Sequence, residues 1–182
     1  MSVANQDINQ LIEKCKKGDA KAQFAIYKLY YKAMYNAAFR ILNDSFEAED
    51  VMQESFLSAF TKLDSFSQQV TFGAWLKKIV INNSISALKR KNKFELVPLE
   101  KVTTSIIEEA GVDFGEPNVN EVLNRISTLK SNYKLALTLN LIEGYDCEEI
   151  AEIMGISYEN SRTTISRAKK KLRQLLSETY AR

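Results

Sequence analysis

Six cationic side chains lie between Arg162 and Arg173 with no acidic residue among them, which suits contact with an anionic partner. Arg and Lys bind phosphates or the acceptor edge of guanine, and short hydroxyl side chains allow close approach. Helical spacing puts five polar residues on the side of the helix away from its apolar face: Arg162, Thr163, Ser166, Arg167 and Lys170. We predict that this face binds DNA; the alternative is a solvated basic face on a bundle helix.

A second basic cluster occurs between Leu76 and Lys93, again without an acidic residue. It comprises Lys77, Lys78, Lys89, Arg90, Lys91 and Lys93, and just upstream lie Phe66, Ser67, Gln68, Gln69, Phe72 and Trp75. Cations that follow a backbone, beside rings on which bases stack, suit single-stranded or opened nucleic acid. The alternative for Phe72 and Trp75, which we favour for the rings alone, is that they are core residues at helical spacing.

A third surface is acidic and therefore unsuited to DNA. Asp50, Gln53, Glu54 and Leu57 share one helix face, next to a predicted buried stripe formed by Met52, Ser55, Phe56, Ala59, Phe60 and Leu63. Carboxylates and an amide with one leucine predict a protein-docking surface. An acid–base or metal-binding role is disfavoured, because no pocket-forming glycine loop or further ligand lies nearby.

The composition excludes several kinds of enzyme. The 182 residues carry a net charge of +2 and include no histidine, which excludes a serine–histidine triad and histidine-ligated metals. Cys15 and Cys147 are the only cysteines and are far apart in sequence, so a zinc site or a disulfide framework is not expected. We predict no catalytic residues, no metal and no cofactor.

No segment resembles a membrane anchor or a secretion signal. The longest apolar runs are a few residues, against the roughly 18 needed to span a bilayer. The first seven residues lack a basic start followed by an apolar stretch. We therefore expect no direct membrane insertion and no signal peptide.

Helical periodicity predicts an all-α fold with two small helical domains. The predicted helices of the first domain, residues 1–93, cover about 9–17, 20–42, 46–63 and 72–91. Residues 94–118 have a net charge of −5 and contain both prolines, Pro98 and Pro117, so we predict an acidic linker there. A single domain with a long surface excursion is the alternative. Residues 119–182 form the predicted C-terminal domain.

The C-terminal domain has the pattern of a helix-turn-helix. Asp146 and Glu149 have the spacing of a capping box, so Asp146 is predicted to begin a short helix. Gly155-Ile156-Ser157 predicts a tight turn, with Ser157 capping a long helix from Tyr158 to about Leu176. Between Glu143 and Glu159 there are six acids and no base, so the second helix is the one expected to contact DNA.

Three segments resemble signature motifs of bacterial sigma factors. Residues 48–56 are similar to A-E-D-x-x-Q-E-x-F, and residues 72–82 to F-x-x-W-L-x-x-I-x-x-N. Residues 149–157 and 166–173 are similar to E-I-A-x-x-x-G-I-S and S-R-A-x-x-x-L-R. Their order, their spacing and the length of the chain resemble the extracytoplasmic-function (ECF) class of the sigma-70 superfamily.

The resemblance implies a dissociable subunit of RNA polymerase rather than an enzyme. It implies that Asp50, Gln53 and Glu54 bind the clamp coiled coil of core polymerase; Leu57 is our own addition to this set. It implies that the first domain opens the promoter minus-ten element and holds an unpaired base, which here points to Phe66, Ser67, Gln68, Gln69, Phe72, Trp75, Lys78 and Asn82. It also implies that Arg162, Thr163, Ser166, Arg167 and Lys170 read the minus-thirty-five element as duplex.

The resemblance further implies a bacterial, cytoplasmic protein, with an anti-sigma factor as inhibitor that could hold it at the membrane. Ser161 and Thr164 stand where relatives often carry valine and arginine, which we expect to alter base contacts. The main alternative is a stand-alone helix-turn-helix regulator that dimerises on a palindrome without polymerase. The patch at Asp50 to Leu57 and the long linker disfavour it. A DNA-modifying enzyme and an adaptor that has lost DNA binding are further alternatives.

Overall fold

The computed structural model describes the backbone of residues 3–92 and 118–180, and the side chains of residues 8–90 and 118–178. Within these ranges every regular element is helical, which confirms the predicted all-α class. The chain divides into two compact units, with the division between Phe94 and Glu95. Most of the predicted linker, residues 94–117, lies outside the described residues.

The first unit contains four α-helices and one short 3₁₀ turn. These are α1 (Val3–Lys16), α2 (Ala20–Leu42), α3 (Ser45–Thr61), the 3₁₀ turn Leu63–Ser65, and α4 (Phe72–Asn92). The Asp19 carboxylate caps α2 by accepting from the Lys21 and Ala22 N–H groups. Asn43 ends α2 in the left-handed conformation, and Asp44 caps α3 immediately afterwards. This pair of polar residues makes the sharp reversal between the two helices.

Packing of α2 against α3 and α4 forms the core of the first unit. Met34, Met52, Phe56, Leu76 and Val80 are all at most 3% exposed. Ser55 connects α3 to α4 within this core: its hydroxyl donates to the Val51 carbonyl at 2.6 Å and accepts from Asn83 Nδ2 at 3.0 Å. Because the Ser55 hydroxyl both donates and accepts a hydrogen bond, its burial lowers the stability of the core little.

The second unit packs three shorter helical segments against one long helix. The segments are α5 (Val119–Ser127), α6 (Ser131–Leu137) continued by a π-helical turn at Thr138–Ile142, and α7 (Cys147–Met154). The long helix is α8 (Tyr158–Tyr180). Its buried face carries Ile165, Ala168, Leu172 and Leu176. Asn118, the last residue of the predicted linker, caps α5 by accepting from the Asn120 N–H.

The capping prediction for the helix-turn-helix is confirmed. Asp146 Oδ1 accepts from the Glu149 N–H at 2.9 Å, and Glu149 Oε2 accepts from the Asp146 N–H at 3.0 Å. Gly155 follows α7 with φ of 72°, a conformation that glycine adopts without steric cost. The Ser157 hydroxyl then accepts from the Asn160 N–H at 3.2 Å, at the start of α8.

Three helix boundaries differ by more than one residue from those predicted, and one segment changes its helix type. α1 begins at Val3 rather than Asn9, and α3 ends at Thr61 because Leu63 enters the 3₁₀ turn. α8 continues past Leu176 to Tyr180, since no glycine or proline interrupts it. The helix that begins at Ser131 changes from α to π geometry at Thr138 and continues to Ile142. None of the described helices has the length and apolar character needed to cross a membrane.

Candidate functional site

The acidic patch on α3 lies on the face opposite the core of the first unit. Asp50, Gln53 and Glu54 are exposed, and Leu57 is 67% exposed. Of the predicted buried stripe, Met52, Ser55, Phe56, Ala59 and Leu63 are buried, while Phe60 is half-buried. Val51, which was not predicted, is buried as well. Gln53 Nε2 donates to Glu49 Oε1 at 3.3 Å, so the amide and this neighbouring carboxylate are oriented together. The helix therefore presents carboxylate and amide groups with one exposed leucine.

An apolar groove borders this patch and was not predicted. It lies between α2 and α3 and has a volume of about 390 Å³. Its lining is mainly apolar: Phe24, Tyr27, Phe56, Leu57, Phe60 and Ala20, with Gln23 and Gln53. Phe24 is 61% exposed, although it stands at helical spacing with other apolar residues of α2. Periodicity identifies an apolar side of a helix but does not show where a neighbouring helix stops covering it.

Phe66 and Phe72 are buried, so neither ring is exposed for base contact. For Phe66 this corrects the prediction of base contact, and for Phe72 it is the core position that we favoured for the ring. They are 6% and 3% exposed, and their rings meet edge to face at 5.5 Å. Tyr30 packs on Phe72 at 5.6 Å, and burial raises the pKa of the Tyr30 phenol. The two phenylalanine rings are thus occupied by the core and hold the loop between them.

The loop that these rings hold is exposed from Ser67 to Thr71. Gln68, in the middle of the loop, has φ of 60°, a left-handed conformation that is uncommon for a residue with a β-carbon. Thr71 Oγ1 accepts from the Ala74 N–H at 3.3 Å and so ties the loop to the first turn of α4. The loop presents hydroxyl and amide groups at its outer side.

One face of α4 continues the loop surface. Trp75, Lys78 and Asn82 are spaced by three and four residues; Lys78 and Asn82 are exposed, and Trp75 is half-buried against Phe66 and Phe72. Lys89 and Arg90 are exposed farther along the helix. The side chains of Lys91 and Lys93 lie outside the described residues. Loop and helix together offer amides, hydroxyls, one partly exposed ring and cations, the groups that bind an opened strand.

The outer face of α8 carries the residues predicted to contact duplex DNA. Arg162, Ser166 and Lys170 are exposed, while Thr163 and Arg167 are half-buried. The facing residues toward α7 and α6 are apolar, apart from Ser161 and Thr164 at 0% and 1% exposure. Because Ser161 and Thr164 are buried, their own side chains are not exposed for base contact. The expectation that replacing valine and arginine at these positions alters base contacts stays a prediction. Neither hydroxyl has a hydrogen-bond partner among the described residues.

The acidic side chains do not converge on a metal site in the part of the chain that the structure describes, where no three His, Cys, Asp or Glu residues cluster. Cys15 is buried, and burial together with the nearby Asp19 carboxylate raises the pKa of its thiol. A raised pKa disfavours the reactive thiolate.

Comparison with known proteins matches both units to one family. Residues 26–94 match the model of Sigma-70 region 2, and residues 120–172 match Sigma-70, region 4. The RNA polymerase sigma-H factor of Pseudomonas aeruginosa is 30% identical, over 97% of this chain and 96% of its own length. The chain belongs to the ECF class of sigma factors. As a sigma factor it binds core RNA polymerase and directs promoter-specific transcription initiation, and a stand-alone regulator is not favoured.

Two further comparisons agree with this sigma factor assignment. The ECF sigma factor SigW of Bacillus subtilis is 29% identical over 93% of this chain and 96% of that protein. The fold resembles RpoE of Bartonella quintana, solved in complex with the anti-sigma factor NepR, with a TM-score of 0.56 and 23% identity. That alignment covers 84% of this chain and 95% of the solved chain. The alignment with SigW thus extends over nearly the whole of both chains, and the solved structure shows the same fold.

Proposed function

We propose that each of the three surfaces of the sigma factor binds a different partner. The exposed face of α3 binds core polymerase, the loop at residues 67–71 with α4 binds the opened minus-ten element, and the outer face of α8 reads the minus-thirty-five element as duplex. Residues 1–93 and 119–182 form the two working domains in this proposal, with residues 94–118 as the linker. The observation that carries it is the exposure of Asp50, Gln53 and Glu54 on one face of a helix whose other face is buried.

Docking through α3 is supported by the chemistry of the patch. Two exposed carboxylates repel nucleic acid and attract a basic protein surface, while Leu57 and the adjoining groove offer apolar area. Interfaces of this kind combine an apolar centre with polar groups that fix orientation. A sigma factor must bind polymerase with a surface that DNA does not occupy, and the α3 face meets this requirement.

Minus-ten recognition is supported by the loop and α4. Separating stacked bases costs a few kcal/mol per step, which contacts with an extruded base must offset. Gln68 and Gln69 supply amide donors and acceptors for a base edge, and Lys78 supplies a phosphate contact. Trp75 is only half-buried, whereas Phe66 and Phe72 are buried. Of these three rings, Trp75 is therefore the one available for stacking on a base. Phe66 and Phe72 act indirectly, by fixing the loop.

Minus-thirty-five recognition is supported by the outer face of α8. Arg162 and Arg167 carry the planar guanidinium that pairs with guanine in the major groove. Thr163 and Ser166 are short enough for close approach, and Lys170 lies one turn farther along for a phosphate. The helix-turn-helix holds this face away from the core, because α7 and α6 cover the opposite side.

The sigma factor class also suggests where the protein acts and what inhibits it. We propose that it acts as an initiation factor in the bacterial cytoplasm, carrying no catalytic group of its own. We also propose that an anti-sigma factor inhibits it, as NepR is bound to RpoE in the Bartonella quintana complex. Such an inhibitor would hold the sigma factor at the membrane if it were itself anchored there.

Binding of purified core polymerase tests the α3 assignment directly. A double charge reversal, Asp50→Lys with Glu54→Lys, should abolish binding, because it places cations against a basic surface. Glu13→Lys is the control: Glu13 is an exposed acid on α1, away from α3, whose Oε1 pairs with Lys16 Nζ at 2.9 Å. Unchanged affinity of the double variant, with its helical content intact, would refute docking through α3.

A further inference from the structure

Phe46 is an apolar side chain that the sequence patterns did not single out. It is 82% exposed, the highest value for a large apolar residue in the described ranges. Most aromatic rings of the first unit are packed or partly packed against others, as Phe72 is against Tyr30, Phe66 and Trp75. A phenylalanine left almost wholly in water is unusual unless a partner covers it.

The position of Phe46 on α3 connects it with the docking patch. Phe46, Asp50, Gln53 and Leu57 are spaced by four, three and four residues, so they lie within a stripe about 60° wide on the helix. All four are exposed. Phe46 and Leu57 occupy the two ends of this stripe, about 16 Å apart along the helix axis at 1.5 Å per residue. The stripe thus has an apolar anchor at each end and polar groups between them.

The backbone that carries Phe46 is fixed. Asp44 Oδ1 accepts from the Phe46 N–H at 3.1 Å and from the Glu47 N–H at 3.2 Å, which caps the first turn of α3. Two residues later Ala48 is fully buried in the core. The ring is therefore presented from an ordered helix end, and binding it does not require the chain to become ordered first.

We propose that Phe46 is a further anchor of the core polymerase contact, inserting into an apolar notch whose rim is basic. This inference rests on the proposed docking through α3. The partner must be basic, because Asp50 lies within the stripe and Glu49 and Glu54 flank it. Nucleic acid would be repelled by these carboxylates, and a second copy paired through the same face would bring like charges together. Aromatic residues next to polar rims are typical of the positions that dominate binding energy.

Affinity for purified core polymerase tests the proposal with the full-length chain. Phe46→Ala should weaken binding about tenfold, which is the scale of one truncated aromatic anchor. Leu29→Ala is the matched control and should stay within twofold, because Leu29 is an apolar residue of α2, 61% exposed, that lies off the stripe. Phe46→Tyr, which retains the ring, should retain most of the affinity. The loss in Phe46→Ala should be equal at low and high salt, since an apolar contact is not screened.

The outcomes separate this inference from the docking proposal. If Phe46→Ala binds core polymerase like the wild type while the Asp50→Lys, Glu54→Lys variant does not bind, docking stands and the Phe46 anchor is refuted. If none of these variants changes the affinity, docking through α3 is itself refuted. Sedimentation of the free protein tests whether a second copy of the chain covers Phe46 instead. If Phe46→Ala changes self-association and leaves the affinity for core polymerase unchanged, the proposal is also overturned.

Discussion

At the scale of single residues, the side chains of the loop at 66–72 have two different roles. Some are buried and fix the position of the loop, and others are exposed and can contact a partner. Phe66 and Phe72 are the first kind, buried against Tyr30 and Trp75. Gln68 and Gln69 are the second kind, exposed at the tip. Variants of the two kinds should therefore fail differently, one in stability and the other in promoter opening.

Phe72→Ala should lower the free energy of unfolding of the first unit by about 3–5 kcal/mol, the usual loss for a buried phenylalanine. Trp75, the single tryptophan of the chain, packs on Phe72 at 5.6 Å, so its fluorescence reports this unfolding in denaturant. A loss below about 1 kcal/mol would show that the Phe72 ring contributes little to the core.

Gln68→Gly should reduce promoter opening without destabilising the fold. Glycine adopts the left-handed conformation of residue 68 more readily than glutamine, so the unfolding free energy should stay equal or rise by about 1 kcal/mol. The amide that we assign to the extruded base is lost. Permanganate reactivity of thymines in the minus-ten region measures the open fraction. Wild-type opening by this variant would exclude Gln68 from base contact.

At the scale of elements, α8 combines an exposed polar face with an unusual buried one. Ser161 and Thr164 place hydroxyls at the packed side of the helix, and neither has a partner among the described residues. An unpaired buried hydroxyl costs roughly 1–3 kcal/mol. The second unit is therefore less stable than an apolar version of the same helix would be.

Thr164→Val should raise the free energy of unfolding of the second unit by about 1 kcal/mol, because the hydroxyl is replaced by a methyl group of similar size. Binding of duplex promoter DNA should remain within twofold, since residue 164 is buried. Far-UV circular dichroism in urea measures the stability, and Ser161→Ala should act in the same direction. A loss of stability in Thr164→Val would mean that the hydroxyl makes a stabilising contact.

Elements whose signals are local could be predicted from the sequence. The Asp146 capping box, the Gly155 turn and the Ser157 cap depend on residues within three or four positions, and all three occur as predicted. The exposure of Asp50, Gln53 and Glu54 also followed from periodicity, because a helix buries one face. The all-α class follows from the same capping residues and from the same helical periodicity.

Features that depend on tertiary contacts could not be predicted. The sequence does not reveal that Tyr30 covers Phe72, or that α2 and α3 leave a groove beside Leu57. The π-helical turn at Thr138–Ile142 is also invisible to an analysis that assumes 3.6 residues per turn. The roles of the candidate site residues remain predictions, because exposure shows what a side chain can reach but not what it binds.

At the scale of the whole molecule, we propose that the two units of one chain bind two promoter elements. Each unit has its own core, and the predicted linker, residues 94–118, offers 25 residues that reach at most roughly 80–90 Å when extended. Two duplex turns separate such elements by on the order of 70 Å. Defects in the two units should therefore be separable in the full-length protein.

Arg162→Ala should weaken binding of duplex promoter DNA and leave the affinity for core polymerase unchanged. If Arg162 contacts a phosphate, the slope of log affinity against log salt should fall by about one; if it reads a base, the slope should change less and discrimination between sequences should relax. Titrations of the holoenzyme at several salt concentrations measure both quantities. Unaltered DNA affinity and selectivity would exclude Arg162 from the duplex contact.

Run-off transcription with purified bacterial core polymerase, this protein and a genomic promoter library tests the central claim most directly. We expect discrete transcripts that are absent from core polymerase alone and that disappear with the Asp50→Lys, Glu54→Lys variant. The absence of such transcripts with the wild-type protein, while duplex DNA binding is retained and core polymerase is not bound, would contradict the account.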